Sequence, residues 1–243
     1  MVRRTSRYGG VVADAGLVVV AVSHPGDNAF DVSRVDELSV ALTRPADVKR
    51  LIDFMLGAWP HASKIDGDRI GFFGMSRGGY TGLALIGGNA NFAKGTARCA
   101  ELTSVRACEM FQDNEIPASA ITHDKRIKAA VIADPGFTFL FGPADLKAVR
   151  VPVQLWSSEH GGAGVTPQSV AAVGKMLPSS PEYRHAANAG HVAFLAPCSP
   201  AQASTIPRIC VDAPGFDRVA FHKAFNAEVL AFFRKHLLGT ENP

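Results

Sequence analysis

Residues 69 to 88, RIGFFGMSRGGYTGLALIGG, place Ser76 in the pattern G-x-S-x-G, spelled Gly74-Met75-Ser76-Arg77-Gly78. A serine hydroxyl acts as a nucleophile only when a base takes its proton. It must also stand clear of the chain, which a sharp turn from strand to helix achieves. Side chains two residues before and after such a turn would collide with backbone, so glycines are expected there. The same turn puts the backbone N–H of Arg77 at the start of a helix, aimed where negative charge would develop on a carbonyl oxygen. The chemistry implied is acyl transfer through Ser76. A glycine-rich packing turn that happens to hold a serine is the competing reading, and the strand-then-helix context favours the nucleophile. A phosphate-binding loop is not indicated, because G-x-x-x-x-G-K-[ST] is absent.

A serine of this kind requires a histidine, and His191 in NAGHVAF (188–194) is the best placed of eight. It lies on a glycine-flanked loop near the carboxyl end, after a short strand-like stretch. His185 falls within that stretch, EYRHAA, and His160, His222 and His236 fall on a loop or on the closing helix. In the chain order serine, acid, histidine, the acid belongs at a strand end between Ser76 and His191. Asp134 in VIADPGF and Glu159 in LWSSEHGGAGVTP both qualify. The structural alternatives are an Asp-Pro-Gly turn for Asp134 and a solvated loop carboxylate for Glu159. Trp156, Phe137, Phe139 and Phe194 lie near predicted strand ends, where they could form an acyl or aromatic pocket or belong to the core. This chemistry requires no metal and no organic cofactor.

The elements that must position these residues read as a parallel sheet wrapped by helices, since short β-branched runs alternate with helical stretches. LVVVAVS (17–23), RIGFFGM (69–75), IKAAVIA (127–133) and VPVQLWS (151–157) are expected strands. RPADVKRLIDFMLGAW (44–59) is an expected helix with Pro45 in its first turn, and GGYTGLALIGG another. The tail FHKAFNAEVLAFFRKHLL (221–238) puts Phe221, Phe225, Val229, Phe232 and Phe233 on one face of a closing helix. Residues 1–243 read as a single domain, with irregular insertions at about 89–126 and 196–220.

A net charge of +3 with scattered basic residues argues against a nucleic-acid partner. No apolar run reaches the roughly 18 to 20 residues of a membrane span. The four cysteines form two local couples, Cys99 with Cys108 and Cys198 with Cys210, which are expected to be disulfides rather than four separate thiols. No C-x-x-C pair or histidine cluster accompanies them, which weakens a zinc reading. Paired cysteines suit a periplasmic or secreted protein, yet the first residues lack the apolar centre of a signal peptide, so the compartment stays open.

The order of strand, G-x-S-x-G, strand-end acids and a late AGH resembles the α/β-hydrolase superfamily. More narrowly, HPGDN (24–28), RPADV (44–48), GMSRGGYTGLAL, VPVQLW and NAGHVAFLAPCSP look like the predicted dienelactone hydrolase group, related to the platelet-activating-factor acetylhydrolases and bacterial polyesterases. The likeness runs from about residue 10 onward. It implies an α/β-hydrolase fold and hydrolysis of small or polymeric carboxylic esters through an acyl-enzyme, with Ser76 as nucleophile and His191 as base. It also implies that Cys198 and Cys210 belong to an exported enzyme.

The chain departs from that pattern twice. Relatives carry an aspartate just before the V-T-P that follows VPVQLW, whereas Ala163 and Gly164 stand here, so Glu159 or Asp134 must serve instead; Glu159 is preferred. The usual amino-terminal strands, and the H-G-x-G-G-like loop that donates a second oxyanion N–H, are expected to be missing. The resulting open sheet edge leads to the expectation of an edge-paired homodimer. Named dienelactone hydrolases use a cysteine nucleophile, so Ser76 points to an ordinary esterase. The alternatives are an impaired or non-catalytic protein of this fold, or a thioesterase, peptidase or acyltransferase using the same serine.

Overall fold

Four strands form the sheet: β1 (Ile70–Met75), the β-branched and alanine-rich β2 (Ile127–Ala133), β3 (Val153–Ser158) and the more polar β4 (Glu182–Ala186). The computed structural model describes residues 6–96, 109–110 and 121–239. The strands pair in parallel in the order β1-β2-β3-β4. Their registers bring Met75 opposite Ala133, Ala133 opposite Trp156, and Ser158 opposite Ala186. The carboxyl ends of all four strands therefore open on one side, where the loops that follow can meet.

Helices cover both faces, as a parallel sheet demands. α1 (Ser6–Asp14), α2 (Ser39–Leu56), α3 (Arg77–Leu85), α4 (Pro167–Met176) and α5 (Arg218–Phe233) follow in chain order. Along β2 the side chains alternate between two cores. Ala130 and Ile132 join Tyr80, Leu83, Val170 and Val173 beneath α3 and α4. Ala129, Val131 and Ala133 face Phe225, Val229, Phe232 and Phe233 of α5. The apolar stripe expected on the closing helix is thus the lid of the second core, though the helix begins at Arg218 and its last turn loosens into a π-turn at Arg234–Leu238.

Two expected elements differ. Residues 17–23 form no strand, and Val18, Val19 and Val20 are 54%, 38% and 47% exposed. A β-branched run becomes a strand only when a neighbour takes its ladder bonds, and no described strand lies beside this one. The second helix starts at Ser39, which leaves Pro45 in its interior rather than its first turn. Proline there forfeits the bond to the carbonyl four residues back, that of Ala41. The buried Tyr80 hydroxyl donates to that carbonyl instead, at 3.2 Å, so the group is satisfied and α2 is pinned to α3. Burial raises the Tyr80 pKa, which keeps the phenol protonated as a donor.

Cys198 and Cys210 form a disulfide with a Cα–Cα separation of 5.7 Å; Cys99 and Cys108 lie outside the described residues. Among the described residues no helix is long and apolar enough to cross a membrane, and no cluster of three His, Cys, Asp or Glu side chains could hold a metal ion.

Candidate active site

Ser76 joins β1 to α3 with φ 55° and ψ −120°, a conformation that costs a non-glycine residue of order 1–3 kcal/mol. The neighbours hold it there. Ser76 N–H donates to Ala133 O at 3.0 Å, continuing the β1–β2 ladder, and Ser76 O accepts from Gly136 N at 2.8 Å and Tyr80 N at 3.1 Å. Of the two motif glycines, the steric demand falls on Gly74, where a Cβ would lie 2.2 Å from Gly78 O. A Cβ at Gly78 would meet nothing within 4 Å. Gly79 and Gly82 let α3 approach β2, since Cβ atoms there would come within 2.8 Å of Pro135 and 2.5 Å of Ile132 respectively. Gly74→Ala should therefore destabilise the protein by about 2–3 kcal/mol, because backbone rather than a movable side chain blocks the methyl. A urea midpoint equal to that of the wild type would refute this.

Asp134 follows β2 directly, as Ser76 follows β1, and is fully buried with φ 40°. Its Oδ1 accepts from Ser158 N at 2.8 Å, and its Oδ2 accepts from the Ser158 hydroxyl and faces His191 Nδ1 at 3.1 Å. His191 is 5% exposed and opens a short 3₁₀ turn, His191–Phe194, beyond β4. Its own N–H donates to Gly161 O at 2.7 Å. Beside a carboxylate, Nδ1 carries the hydrogen, which leaves Nε2 with its lone pair. Asp134 and His191 are thus brought together in a buried charge-assisted pair. Ser76 is linked to them through the Ala133 carbonyl, while its hydroxyl makes no hydrogen bond to another described residue.

Glu159 lies elsewhere. It is exposed, its Oε2 accepts from Asn188 N at 2.6 Å, and the His185 ring stands 3.8 Å from it. The backbone bond from Asn188 is the first cause of its lowered pKa. The 161–165 loop after it is a tight reversal, with Gly162 and Val165 exchanging N–H···O bonds at 2.9 Å and with Ala163 and Gly164 both at positive φ. Its Gly162 lies against His191, where a Cβ would come 3.1 Å from that of the histidine.

Trp156 is 4% exposed in the second core, packed against Phe194, Phe221 and Phe225, with Nε1–H donating to Gln154 Oε1 at 2.8 Å. It therefore faces α5 and not a pocket, and Phe194 is buried beside it. Phe137, two residues beyond Pro135, stays at the strand-end side with φ 53°. It packs on Tyr80 and Phe139, and the Arg77 guanidinium stands 5.7 Å over its ring.

Ser158 was not recognisable in the sequence as a partner of Asp134, for a lone serine at a strand end carries no signal. HPGDN and RPADV did carry one, and their role is now plain. Asp27 accepts from Arg77 and Arg44 at 2.7 Å each, Arg44 Nε donates to Thr81 Oγ1 at 3.1 Å, and the Thr81 hydroxyl donates to Arg77 O at 2.8 Å. These bonds fix the 24–28 turn and α2 to the first turn of α3. His24, on the same turn, sits 3.0 Å from Asp47.

Burial, then the Arg44 guanidinium, hold the His24 pKa below its usual 6.5, against the pull of Asp47. The unfolded chain then binds the extra proton, so the His24 contribution is complete above pH 6.5 and is lost as the pH falls below it. Urea midpoints should decline between about pH 7 and about pH 5, and less steeply in His24→Gln. Identical slopes would contradict that origin.

No protein-family model and no curated protein sequence matches the chain. Among solved structures it is similar to a ferulic acid esterase from Streptomyces cinnamoneus, with a TM-score of 0.50 and 22% identity. The alignment covers 87% of this chain and 52% of the esterase, so the chain spans about half the length of that structure. The fold is that of an α/β-hydrolase. In this hydrolase fold the four parallel strands carry Ser76, Asp134 and His191 at or beyond their carboxyl ends.

Proposed function

We propose that the protein is a serine hydrolase of carboxylic esters, with Ser76 as nucleophile, His191 as general base and Asp134 as the acid that orients it. The observation carrying this is the buried Asp134–His191 pair, set one ladder position from a serine held at φ 55° between strand and helix. In the first step His191 Nε2 takes the Ser76 proton as Oγ attacks the ester carbonyl, and the Asp134 carboxylate stabilises the imidazolium that forms. The protonated imidazole then returns the proton to the departing alcohol. Water, activated by the same nitrogen, releases the acid from Ser76.

Arg77 N–H, first in α3 and without an intrahelical partner, would donate to the oxyanion. The Phe137 ring, tethered beside Arg77, would offer an apolar contact to an acyl or aryl group. The ferulic acid esterase likeness supports the fold on which this chemistry rests. The test is hydrolysis of p-nitrophenyl acetate and butyrate by the wild type beside Ser76→Ala, and equal rates would overturn the reading. That outcome is the one expected of a non-catalytic protein of this fold.

A further inference from the structure

We infer that His222, on α5, is a positioning residue for His191. The inference rests on the reading of His191 as the general base. His191 begins a single 3₁₀ turn of four residues, a unit with poor hydrogen-bond geometry and little stability of its own. The bonds at its start come from Gly161 O and Asp134. Beyond the ring, the turn is secured by Ala193 O, which accepts from His222 Nε2 at 2.9 Å.

Ala193 is fully buried and His222 is 5% exposed. Without the imidazole that carbonyl would lose a buried hydrogen bond, leaving the turn to its own backbone bonds, Ala193 N to Gly190 O and Leu195 N to Val192 O at 3.0 Å each. A carbonyl oxygen only accepts, so Nε2 of His222 carries the hydrogen and the ring is the neutral Nε2–H tautomer. Burial, which holds its pKa below the usual range, agrees with a neutral ring.

The donor is itself fixed in place. The ring packs edge-on against Phe221 at 5.6 Å and Phe225 at 5.9 Å. Asp217 caps α5 by accepting from Val219 N and Ala220 N. One turn before His222, the buried Arg218 bonds Asp212 and Ile209 O, and the Cys198–Cys210 disulfide closes the segment between the turn and the helix. The imidazole of His222 thus transmits the position of α5 to a turn whose first residue must hold its ring against Asp134. A displacement of about 1 Å at such a group can cost on the order of 100-fold in turnover.

The experiment compares His222→Gln with His222→Asn. The glutamine amide nitrogen reaches about where Nε2 stands and can donate to Ala193 O; the asparagine nitrogen stands near Nδ1 and cannot. With p-nitrophenyl acetate, the glutamine variant is expected within about threefold of wild-type kcat. The asparagine variant is expected 10- to 100-fold lower, with KM changed by less than about twofold. The downfield proton resonance of His191 Nδ1–H should persist in His222→Gln and broaden or vanish in His222→Asn. Equal kcat and equal resonances in the two variants would overturn the inference. If the wild type hydrolyses the ester no faster than Ser76→Ala, the esterase reading fails and the resonance alone decides, by the same two outcomes. Should His222→Asn be insoluble, His222→Leu, which keeps bulk and lacks the donor, takes its place.

Discussion

Ser76→Ala is expected to lower turnover of p-nitrophenyl acetate by on the order of 10⁴- to 10⁶-fold while leaving the folded protein intact. The size follows from the role proposed for the serine: its Oγ would form the acyl-enzyme, and no neighbouring hydroxyl or thiol stands at the same turn. Residual catalysis would come from binding and from the Arg77 amide alone. The stability expectation follows from the backbone. Ser76 is held at φ 55° by bonds from its N–H and carbonyl, which alanine retains, and its hydroxyl bonds to no other described residue. Melting temperatures of the two proteins should thus agree closely, and a fluorophosphonate probe should label the wild type only. A variant that keeps wild-type turnover would remove Ser76 from the chemistry altogether.

The sheet and the serine were legible because both leave local signals. β-Branched runs of strand length mark β2 and β3, and a glycine-ringed serine between a strand and a helix marks the turn. His191 was legible from its place late in the chain after a strand. What resisted reading depended on contacts between distant segments. Residues 17–23 have the composition of a strand, yet a strand is made by its neighbour. Pro45 read as a helix start because sequence cannot announce that Tyr80, thirty-five positions on, will take the carbonyl it frees. Trp156 read equally well as pocket lining or as core; the face it takes is set by α5, whose Phe221 and Phe225 pack against it together with Phe194. The choice between Asp134 and Glu159 was of the same kind, since both follow strands and only the fold decides which one the imidazole meets.

Asp134→Asn should cost on the order of 10⁴-fold in turnover, whereas Glu159→Gln should stay within a few-fold of the wild type. Three donors converge on Asp134: Ser158 N on Oδ1, and the Ser158 hydroxyl and His191 Nδ1 on Oδ2. A carboxylate accepts all three, but an amide has one oxygen. The fixed backbone N–H of Ser158 claims that oxygen, so the amide NH₂ takes the place of Oδ2. The Ser158 hydroxyl can turn and accept from it. His191 can accommodate it only by moving its hydrogen from Nδ1 to Nε2, which leaves Nε2 unable to take the Ser76 proton. The fold should survive while the base is switched off. Glu159 meets one donor, Asn188 N, and glutamine can offer its carbonyl oxygen to the same group. Kinetics of the two variants beside the wild type decide between the acids, and a larger loss in Glu159→Gln than in Asp134→Asn would reverse the assignment. The asymmetry has a structural origin: the positions before V-T-P belong here to Ala163 and Gly164, in a reversal with no acid to offer. The imidazole therefore takes its carboxylate from the end of β2, next to the strand that ends in the serine.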